Sequence, residues 1–482
     1  MINEFEKNNS ITIAREYLLP KNIVLENCVA DSSYLLEKKP LTPLFTDNKI
    51  ITFKDKGAFV VLDFGKELCG GARIITGACS SNTLVHLVFG ESLSEALSDV
   101  NVASSTNDHS PRDFCVPLSS MSDLCYGKTG FRFLKIELIS DGFVNIQSIL
   151  AESILPVFDN ENIPQTSDKL LQDIIDTAAY TVKLCFQQGY IFDGIKRDRL
   201  VWAGDLHPEI LTSLYLFGDT PNIKNSLDFL KGCTPQNRWI NNIPSYSAWW
   251  IICLCDYCRF TDNKEYFEEN ASYAETIFEN LNNSTDETGK MKFEHCVMEF
   301  FADWQTYGTD EAEIGVAAII MIAAQKFLQF KENKHCTAIL EKLKVYLLAD
   351  TTFKQIRALQ ILAGRRDVGD AQMLQKDGAV GYSTFMSYYI LKATAISGGK
   401  NTIEIIKEYY GAMLKLGATT FWEDFDINWL KNGGRIDMPL NEGQIDVHKT
   451  YGRECYTGLR HSLCHGWSSG VLAFIVEELI NT

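Results

Sequence analysis

The chain of 482 residues is longer than a single hydrophobic core usually supports, so we expect two domains. With 46% hydrophobic and 22% charged residues, its composition is that of a globular protein and not of a disordered or fibrous one. The formal net charge of -17 disfavours a nucleic acid or an anionic membrane as a partner, because phosphate groups would repel the protein.

Residues 1–160 are predicted to form a β-domain. They contain short runs of β-branched and aromatic residues, several of them alternating with polar residues, and Gly, Ser, Asn and Asp separate the runs. The runs are Ile50–Phe53, Ala58–Leu62, Ala72–Thr76, Thr83–Phe89 and Phe131–Leu138. Several such strands without long helical patterns between them indicate an antiparallel β-sandwich.

Residues 161–482 are predicted to form one helical domain. From Ser167, which we expect to be an N-cap, apolar residues recur at a spacing of three and four. Repeated helix pairs that each have an apolar face need a common core, and either a solenoid or a closed ring of helical hairpins would provide one. No fixed repeat period is visible in the sequence, which favours the ring.

The N-terminal sequence and the spacing of the cysteines predict a reducing compartment. The N-terminus has no basic start followed by an apolar stretch, and no run of about 18 uncharged apolar residues occurs, so we expect no membrane span and a cytoplasmic location. The 14 cysteines lack a repeated spacing and are expected to be mostly reduced and buried. Cys253, Cys255 and Cys258 could hold a metal, but no second pair lies at zinc-finger spacing, so buried thiols are the simpler interpretation.

The segment Asp193–Asp205 is the strongest candidate for a functional site. Three carboxylates, two arginines, a lysine and Trp202 lie close together here, between two helical patterns. Asp193 and Gly194 end the preceding helix, so the charges should lie on a loop, where functional groups are commonly displayed. The arginines would hold a carboxylate ionised, whereas neighbouring carboxylates would raise its proton affinity. A solvated salt-bridge loop is the alternative, and the embedded tryptophan makes it less favourable.

Further segments combine aromatic residues with carboxylates. Glu423 and Asp424 lie among phenylalanines and a tryptophan, a composition suited to sugar rings, although an acidic helix start would look similar. The aromatic segments Tyr246–Trp250 and Glu299–Tyr307 would by themselves more often belong to a core.

Two histidines near the end of the chain, His461 and His465, are four residues apart and could share a metal. The HExxH pattern is absent, however, so hydrogen bonding is the expected role. No Walker loop, no GxGxxG turn between a strand and a helix and no GxSxG elbow occurs. The sequence therefore contains none of the usual motifs of nucleotide-dependent enzymes or serine hydrolases.

Together these segments resemble the α-L-rhamnosidase family of inverting glycoside hydrolases, over most of the chain. In that family one segment begins with Asp, has Arg-Asp four residues on and ends in Trp-x-Gly-Asp; the matching carboxylates here are Asp193, Asp198 and Asp205. Thr419–Glu423 is similar to the family's Thr-x-x-Trp-Glu segment, whose Glu is the general base. Ser462–Trp467 is similar to its terminal sugar-binding histidine segment.

The N-terminal half shares the resemblance. Leu62–Gly71, Phe89–Ser92 and Thr129–Phe133 are similar to the β-sandwich that precedes the catalytic barrel in the family, and we interpret them as structural. The resemblance implies a multidomain β-then-α fold, with an N-terminal antiparallel β-sandwich followed by an (α/α) six-hairpin barrel.

The resemblance also implies a role for each site residue. Asp198 is expected to be the general acid and Glu423 the general base of a hydrolysis with inversion. We expect the sugar to be bound by Asp193, Arg197, Trp202, Asp205, Trp250, Trp304 and His465. The implied substrate is a terminal α-L-rhamnose on a glycoside or an oligosaccharide. Neither a cofactor nor a metal is needed for this chemistry, and the sequence carries no signal for an oligomeric state.

One departure from the family keeps alternatives open. Many relatives read Arg-Asp-Glu-Arg with that Glu as the acid, whereas the chain has Arg197-Asp198-Arg199. Either the shorter Asp198 reaches the leaving oxygen or another carboxylate does this work. The substrate could also be another deoxy sugar or an unsaturated uronide, and a carbohydrate-binding relative without turnover is the non-enzymatic alternative.

Overall fold

The computed structural model describes residues 11–39, 41–43 and 49–480, and its first part is a β-domain. The strands of this domain are β1 (Thr12–Leu18), β2 (Asn22–Asn27), β3 (Val29–Ala30), β4 (Ile51–Phe53), β5 (Phe59–Cys79), β6 (Leu84–Gly90), β7 (Asp113–Pro117), β8 (Asp123–Leu138) and β9 (Val144–Val157). All pairings between them are antiparallel. The strand order is β3-β4-β9-β5-β8-β6-β7, with β1 also beside β9 and β2 also beside β5.

The long strands β5 and β8 belong to both layers of the sandwich. The first part of β5 lies between β2 and β8, and after a register shift between Asp63 and Leu68 its second part lies between β8 and β9. The apolar residues between the layers form one buried cluster. The predicted antiparallel β-sandwich is thus confirmed.

One detail of the β-domain differs from the prediction. The runs Ala58–Leu62 and Ala72–Thr76 were expected to be separate strands, but both lie largely within β5. The glycines between them allow close strand packing and do not form a turn. A Cβ on Gly70 would lie 1.9 Å from the carbonyl oxygen of Glu152, so only glycine fits this crossing from one layer to the other.

The second part of the chain is helical. Its helices are α2 (Lys169–Cys185), α3 (Ala203–Phe217), α4 (Pro221–Cys233), α5 (Pro244–Thr261), α6 (Lys264–Asn283), α7 (Ala312–Leu328), α8 (Lys334–Leu343), α9 (Lys354–Leu362), α10 (Asp370–Gln375), α11 (Ser387–Ile396), α12 (Thr402–Lys415), α13 (Val447–Thr450) and α14 (Gly470–Ile475); a short helix α1 (Leu93–Ala96) lies in the β-domain. Short strand pairs join β10 (Phe186–Gln187) to β11 (Tyr190–Ile191), and β12 (Gly433–Gly434) to β13 (Ile445–Asp446).

The helices form a closed ring. Helices α3, α5, α7, α9, α11 and α14 contact one another in that order, and α14 contacts α3 again. Each of these inner helices has a partner, respectively α4, α6, α8, α10, α12 and α2. The ring is the predicted (α/α) barrel of six hairpins and excludes the solenoid. None of the described helices is both long and apolar enough to cross a membrane.

Helix α2 shows how the sequence pattern becomes packing. Its buried residues follow the predicted apolar stripe, which faces the barrel core. The expected N-cap, Ser167, is off by one residue, because the carboxylate of Asp168 accepts the hydrogen bond from the backbone N–H of Leu171. The predicted metal alternative at Cys253, Cys255 and Cys258 falls on α5, where all three are buried free thiols.

Candidate active site

The inner helices direct their N-terminal ends toward one pocket. Trp202 immediately precedes α3, Tyr246 lies in the first turn of α5, Trp304 lies in the loop before α7, and His465 lies shortly before α14. The pocket has a volume of about 250 Å³. Its lining residues are Asp193, Asp198, Trp202, Asp205, Ile243, Tyr246, Met298, Phe301, Trp304, Glu423, Tyr456, His465 and Trp467.

The loop that follows α2 brings Asp193 under the pocket. One carboxylate oxygen of Asp193 accepts a hydrogen bond of 2.8 Å from the backbone N–H of Leu200, which closes the loop on itself. Its backbone carbonyl accepts a bond of 2.7 Å from the N–H of Gly466. The loop is therefore joined to the segment that carries His465, far away in sequence.

Arg197 connects the two carboxylates expected to be catalytic. Its guanidinium donates to both carboxylate oxygens of Glu423, at 2.6 and 2.5 Å, and to Asp198 at 2.6 Å. Its Nε donates to the backbone carbonyl of Arg460 at 3.0 Å, and its Cζ lies 3.9 Å from the ring centre of Tyr456. Arg197 was expected to bind sugar; in the structure it binds two acidic side chains that line the pocket, Asp198 and Glu423.

Glu423 is fixed by two neighbouring chain segments. Its backbone N–H donates to the carbonyl of Ser462 at 3.0 Å, and the N–H of Ser462 donates to the Glu423 carboxylate at 3.0 Å. Thr384 and the Trp467 indole both donate to the backbone carbonyl of Glu423. The carboxylate is thus buried and oriented, with one guanidinium as its counter-charge.

Asp198 lies at the mouth of the pocket, next to the β-domain. It has a left-handed backbone, with φ of 52°, and its side chain is 12% exposed. The backbone N–H of Asp198 donates to His109 Nδ1 at 2.9 Å, and the hydroxyl of Tyr456 lies 3.4 Å from its carboxylate. Sequence analysis missed both contacts, because His109 and Tyr456 lie far from the motif and carry no local pattern.

His465 lies at the centre of the carboxyl cluster. Its Nε2 is 3.7 Å from Asp193, 3.8 Å from Asp205 and 3.7 Å from Glu423. These separations are too long for hydrogen bonds, so the cluster surrounds the imidazole without saturating it. The hydroxyl of Tyr246 donates to the other oxygen of Asp205 at 3.1 Å.

Burial determines the protonation of this cluster. It raises the pKa of Asp205 to about 8, and burial together with the charges of Asp198 and Asp205 raises the pKa of Asp193 well above its usual value. Burial also lowers the pKa of His465 to about 3, and the nearby Arg197 contributes. At neutral pH, Asp205 is therefore a protonated hydrogen-bond donor and His465 is neutral, and burial favours the protonated form of Asp193.

Trp250 does not line the pocket with the other predicted residues. It lies on α5 one turn beyond Tyr246, fully buried, and its indole N–H donates to the carbonyl of Leu227 at 3.0 Å. Its ring is edge-on to Tyr273, with the ring centres 5.2 Å apart. Trp250 therefore packs against the partner helices α4 and α6, away from the pocket. Trp304, in contrast, lines the pocket as expected, edge-on to Phe301 and Tyr456.

Comparison with solved structures identifies the fold of the chain. The structure is similar to a rhamnosidase from Klebsiella oxytoca with rhamnose bound, with a TM-score of 0.75 and 19% identity over 98% of this chain and 97% of that chain. The fold is that of the α-L-rhamnosidases. No protein-family sequence model and no curated protein matches the chain.

Larger rhamnosidases contain the same fold. A GH78 family rhamnosidase of Bacillus sp. GL1 matches with a TM-score of 0.69 and 16% identity, over 93% of this chain and 48% of that chain. The Streptomyces avermitilis α-L-rhamnosidase complexed with L-rhamnose matches with a TM-score of 0.69 and 13% identity, over 98% of this chain and 44% of that chain. The chain thus spans about half the length of these two proteins and nearly all of the Klebsiella protein.

Proposed function

We propose that the protein is a glycoside hydrolase that releases terminal α-L-rhamnose from a glycoside or an oligosaccharide by single displacement with inversion. The observation that carries the proposal is the pocket at the N-terminal ends of the inner helices, where the carboxyl groups of Glu423, Asp198, Asp193 and Asp205 meet among aromatic side chains. The fold that holds this pocket is the one found in proteins with bound rhamnose.

The pocket lining suits a deoxy sugar. Ile243, Met298 and Phe301 contribute apolar side chains to the lining, which suit the C6 methyl group of rhamnose. The carboxyl groups of Asp193 and Asp205 and the imidazole of His465 are donors and acceptors for the ring hydroxyls. Among the residues that the structure describes, those lining this pocket include neither lysine nor arginine, so a uronide carboxylate would meet acidic groups without a cation. The lining therefore favours rhamnose over the uronide alternative.

We assign the general base to Glu423 and the general acid to Asp198. Arg197 and the N–H of Ser462 fix the orientation of the Glu423 carboxylate, the group that would remove a proton from the attacking water. Asp198 lines the pocket and its side chain is 12% exposed, a position from which it could protonate a leaving group that points out of the pocket. Asp205 is the competing acid, because burial raises its pKa to about 8 and it therefore carries a proton at neutral pH.

A panel of nitrophenyl glycosides tests the function. We expect wild-type protein to hydrolyse the α-L-rhamnoside and to leave the α-L-fucoside, the β-D-glucoside and the β-D-glucuronide intact. Hydrolysis of another glycoside but not of the rhamnoside would overturn the substrate. Rhamnose binding, measured by calorimetry, without turnover of any glycoside would identify a non-catalytic carbohydrate-binding protein.

Leaving-group dependence distinguishes the acid from the base. A variant without its acid should keep much of its rate on a dinitrophenyl rhamnoside, whose leaving group needs no proton, and lose it on an alkyl rhamnoside. We expect this pattern for Asp198→Asn, and a loss on both substrates for Glu423→Gln. If Asp205→Asn shows the leaving-group pattern and Asp198→Asn does not, the acid is Asp205.

The location of the protein stays a prediction. The cysteines that the structure describes are free thiols, and Cys28, Cys115, Cys125 and Cys233 are among the exposed ones. Exposed thiols persist in a reducing compartment, which supports a cytoplasmic location.

A further inference from the structure

The β-domain places two buried carboxylates beneath the catalytic segments. Glu91 directly follows β6, Glu95 lies in α1, and both are fully buried. The backbone N–H of Glu91 donates to the Glu95 carboxylate at 2.8 Å, so the two side chains form one unit. The Phe89–Ser92 motif that contains Glu91 was interpreted as structural in the sequence.

Lys196 brings the first catalytic segment onto this unit. Its ammonium lies 2.9 Å from Glu91 and 3.3 Å from Glu95. It also donates to the backbone carbonyls of Leu459 and His461, at 3.1 and 2.6 Å. Since Lys196 directly precedes Arg197, these contacts anchor the loop whose guanidinium holds Glu423.

Glu91 also holds the second catalytic segment. Its carboxylate accepts a hydrogen bond of 2.6 Å from the backbone N–H of Leu463 and one of 3.4 Å from the Ser462 hydroxyl. The backbone of Ser462 in turn exchanges hydrogen bonds with Glu423. Two routes therefore lead from Glu91 to Glu423, one through Lys196 and Arg197 and one through Leu463 and Ser462.

We propose that Glu91 is a positioning residue for the hydrolysis: a carboxylate of the β-domain that orients the general base Glu423 through Lys196–Arg197 and Ser462–Leu463. The proposal rests on the proposed function. It makes the β-domain a part of the active-site framework, although Glu91 itself is not among the residues that line the pocket.

The geometry favours this role over a metal site. Glu91, Glu95 and His448 have ligand atoms close enough together to hold an ion. The ammonium of Lys196 already supplies the positive charge between the two carboxylates. Both nitrogens of His448 are engaged as well, with the Ser92 hydroxyl at 2.7 Å and the His461 carbonyl at 2.9 Å. These contacts describe a complete network that fixes the chain.

A second contact between the domains provides a matched control. Arg132 of β8 is buried between Asp63 of the β-domain and Asp437 of the barrel, at 2.8 and 2.9 Å. Asp437→Asn removes the barrel's carboxylate from this contact, and Asp437 pairs with Arg132 and Arg435 and not with Arg197 or Glu423. An effect of merely loosening the two domains should therefore be the same in Asp437→Asn and in Glu91→Gln.

The test compares Glu91→Gln with Asp437→Asn in the full chain, after wild-type activity on nitrophenyl rhamnosides is established. We expect kcat of Glu91→Gln to fall about 10- to 100-fold, because small displacements of a catalytic group have effects of this size. The loss should be equal on dinitrophenyl and alkyl rhamnosides, as for the base, and Asp437→Asn should keep its kcat. A wild-type kcat, a loss shared by the control, or a loss confined to the alkyl substrate would each overturn the proposal.

Further experiments apply if Glu91→Gln does not fold or if the wild-type protein is inactive. If Glu91→Gln does not fold, the double variant Glu91→Gln/Lys196→Met, which removes the buried pair as a unit, takes its place with the same expected kcat loss. If the wild type hydrolyses none of the glycosides, the proposed function fails, and amide hydrogen exchange tests the positioning alone. Exchange at residues 459–465 should then rise in Glu91→Gln and not in Asp437→Asn; unchanged exchange would refute it.

Discussion

The two ends of the helical ring both contain a pocket, and they differ in how their charges are balanced. The pocket at the C-terminal ends of the inner helices is the larger, at about 460 Å³ against 250 Å³ for the candidate active site. Both are lined by aromatic, acidic and histidine side chains. Size and composition alone therefore do not distinguish the candidate active site from the other pocket.

At the C-terminal end the charges are paired. His207 hydrogen-bonds to Asp256 at 2.9 Å and to the Tyr389 hydroxyl at 2.8 Å, and Lys326 lies 2.6 Å from Asp256. Burial alone would raise the pKa of Asp256, but Lys326, His207 and Arg259 together lower it. This pocket is a neutralised network in which the carboxylate stays ionised.

At the N-terminal end the acidic side chains outnumber their counter-charges. Three carboxyl groups surround the neutral His465 without a hydrogen bond to its Nε2, and the pKa of Asp205 is raised to about 8. Raised pKa values in a pocket are typical of sites that bind or transform a ligand. The comparison teaches that uncompensated charge, and not pocket volume, distinguishes the candidate active site from the pocket at the other end.

The largest difference in activity should be between two variants that each lack one carboxylate, one at the N-terminal end of the ring and one at the C-terminal end. Glu423→Gln should lower kcat by about 10²- to 10⁴-fold, the usual contribution of a general base. Glu477→Gln, at the other end, should keep the wild-type kcat, because Glu477 only pairs with Lys392 and accepts from tyrosines. Steady-state hydrolysis of a nitrophenyl rhamnoside measures both, and a comparable loss in the two variants would contradict the distinction.

Asp256→Asn should destabilise the fold by about 3 kcal/mol, since it leaves Lys326 and His207 without their buried partner. Because the pKa of Asp256 is lowered in the folded state, its stabilisation is present at neutral pH and is lost as the pH falls below the ordinary 3.8. Urea unfolding at pH 7 and pH 3 checks the sign. A penalty that grows toward acid would be the opposite of our expectation.

Asp205→Asn should increase the free energy of unfolding, whereas Asp256→Asn should decrease it. The pKa of Asp205 rises from the ordinary 3.8 to about 8 on folding, so the wild type loses stability as the pH rises through this range. Asparagine does not titrate, and the Tm advantage of the variant should grow from pH 4 to pH 8 and then level off. Melting curves across this range decide it; an advantage that shrinks with rising pH would show that Asp205 is ionised in the fold.

Substitutions of the two tryptophans expected in the pocket, Trp250 and Trp304, should have the smallest effects, and these effects should differ in kind. Trp250→Phe should cost about 1–2 kcal/mol of stability, because the buried indole hydrogen bond to the carbonyl of Leu227 is lost, while KM stays unchanged. Trp304→Phe should raise KM for the rhamnoside with little loss of stability, because Trp304 lines the pocket. A raised KM for Trp250→Phe would place that residue in substrate binding after all.

The features that could be read from the sequence are those whose chemistry is local. The carboxylates of Asp193–Asp205, Glu423 and His465 stand out because charge, glycine and tryptophan occur together over a few residues, and the structure brings all three segments to one pocket. The closed ring could be favoured, since the helical segments share no fixed repeat period.

The remainder depends on contacts between distant segments. No local pattern shows that Arg197 holds Glu423, that Tyr246 donates to Asp205, or that Glu91 accepts from Leu463. Trp250 and Tyr246 share one aromatic segment of α5, and only the packing of the partner helices decides which of them reaches the pocket.

The anomeric form of the first product tests the central claim most directly. Proton NMR of wild-type protein with a nitrophenyl α-L-rhamnoside, recorded within the first minutes, should show β-L-rhamnose first, followed by slow mutarotation. This result requires a water between the base and the sugar, and hence carboxyl groups about 6.5–9.5 Å apart. Initial release of α-L-rhamnose, or no release of rhamnose, would contradict the account.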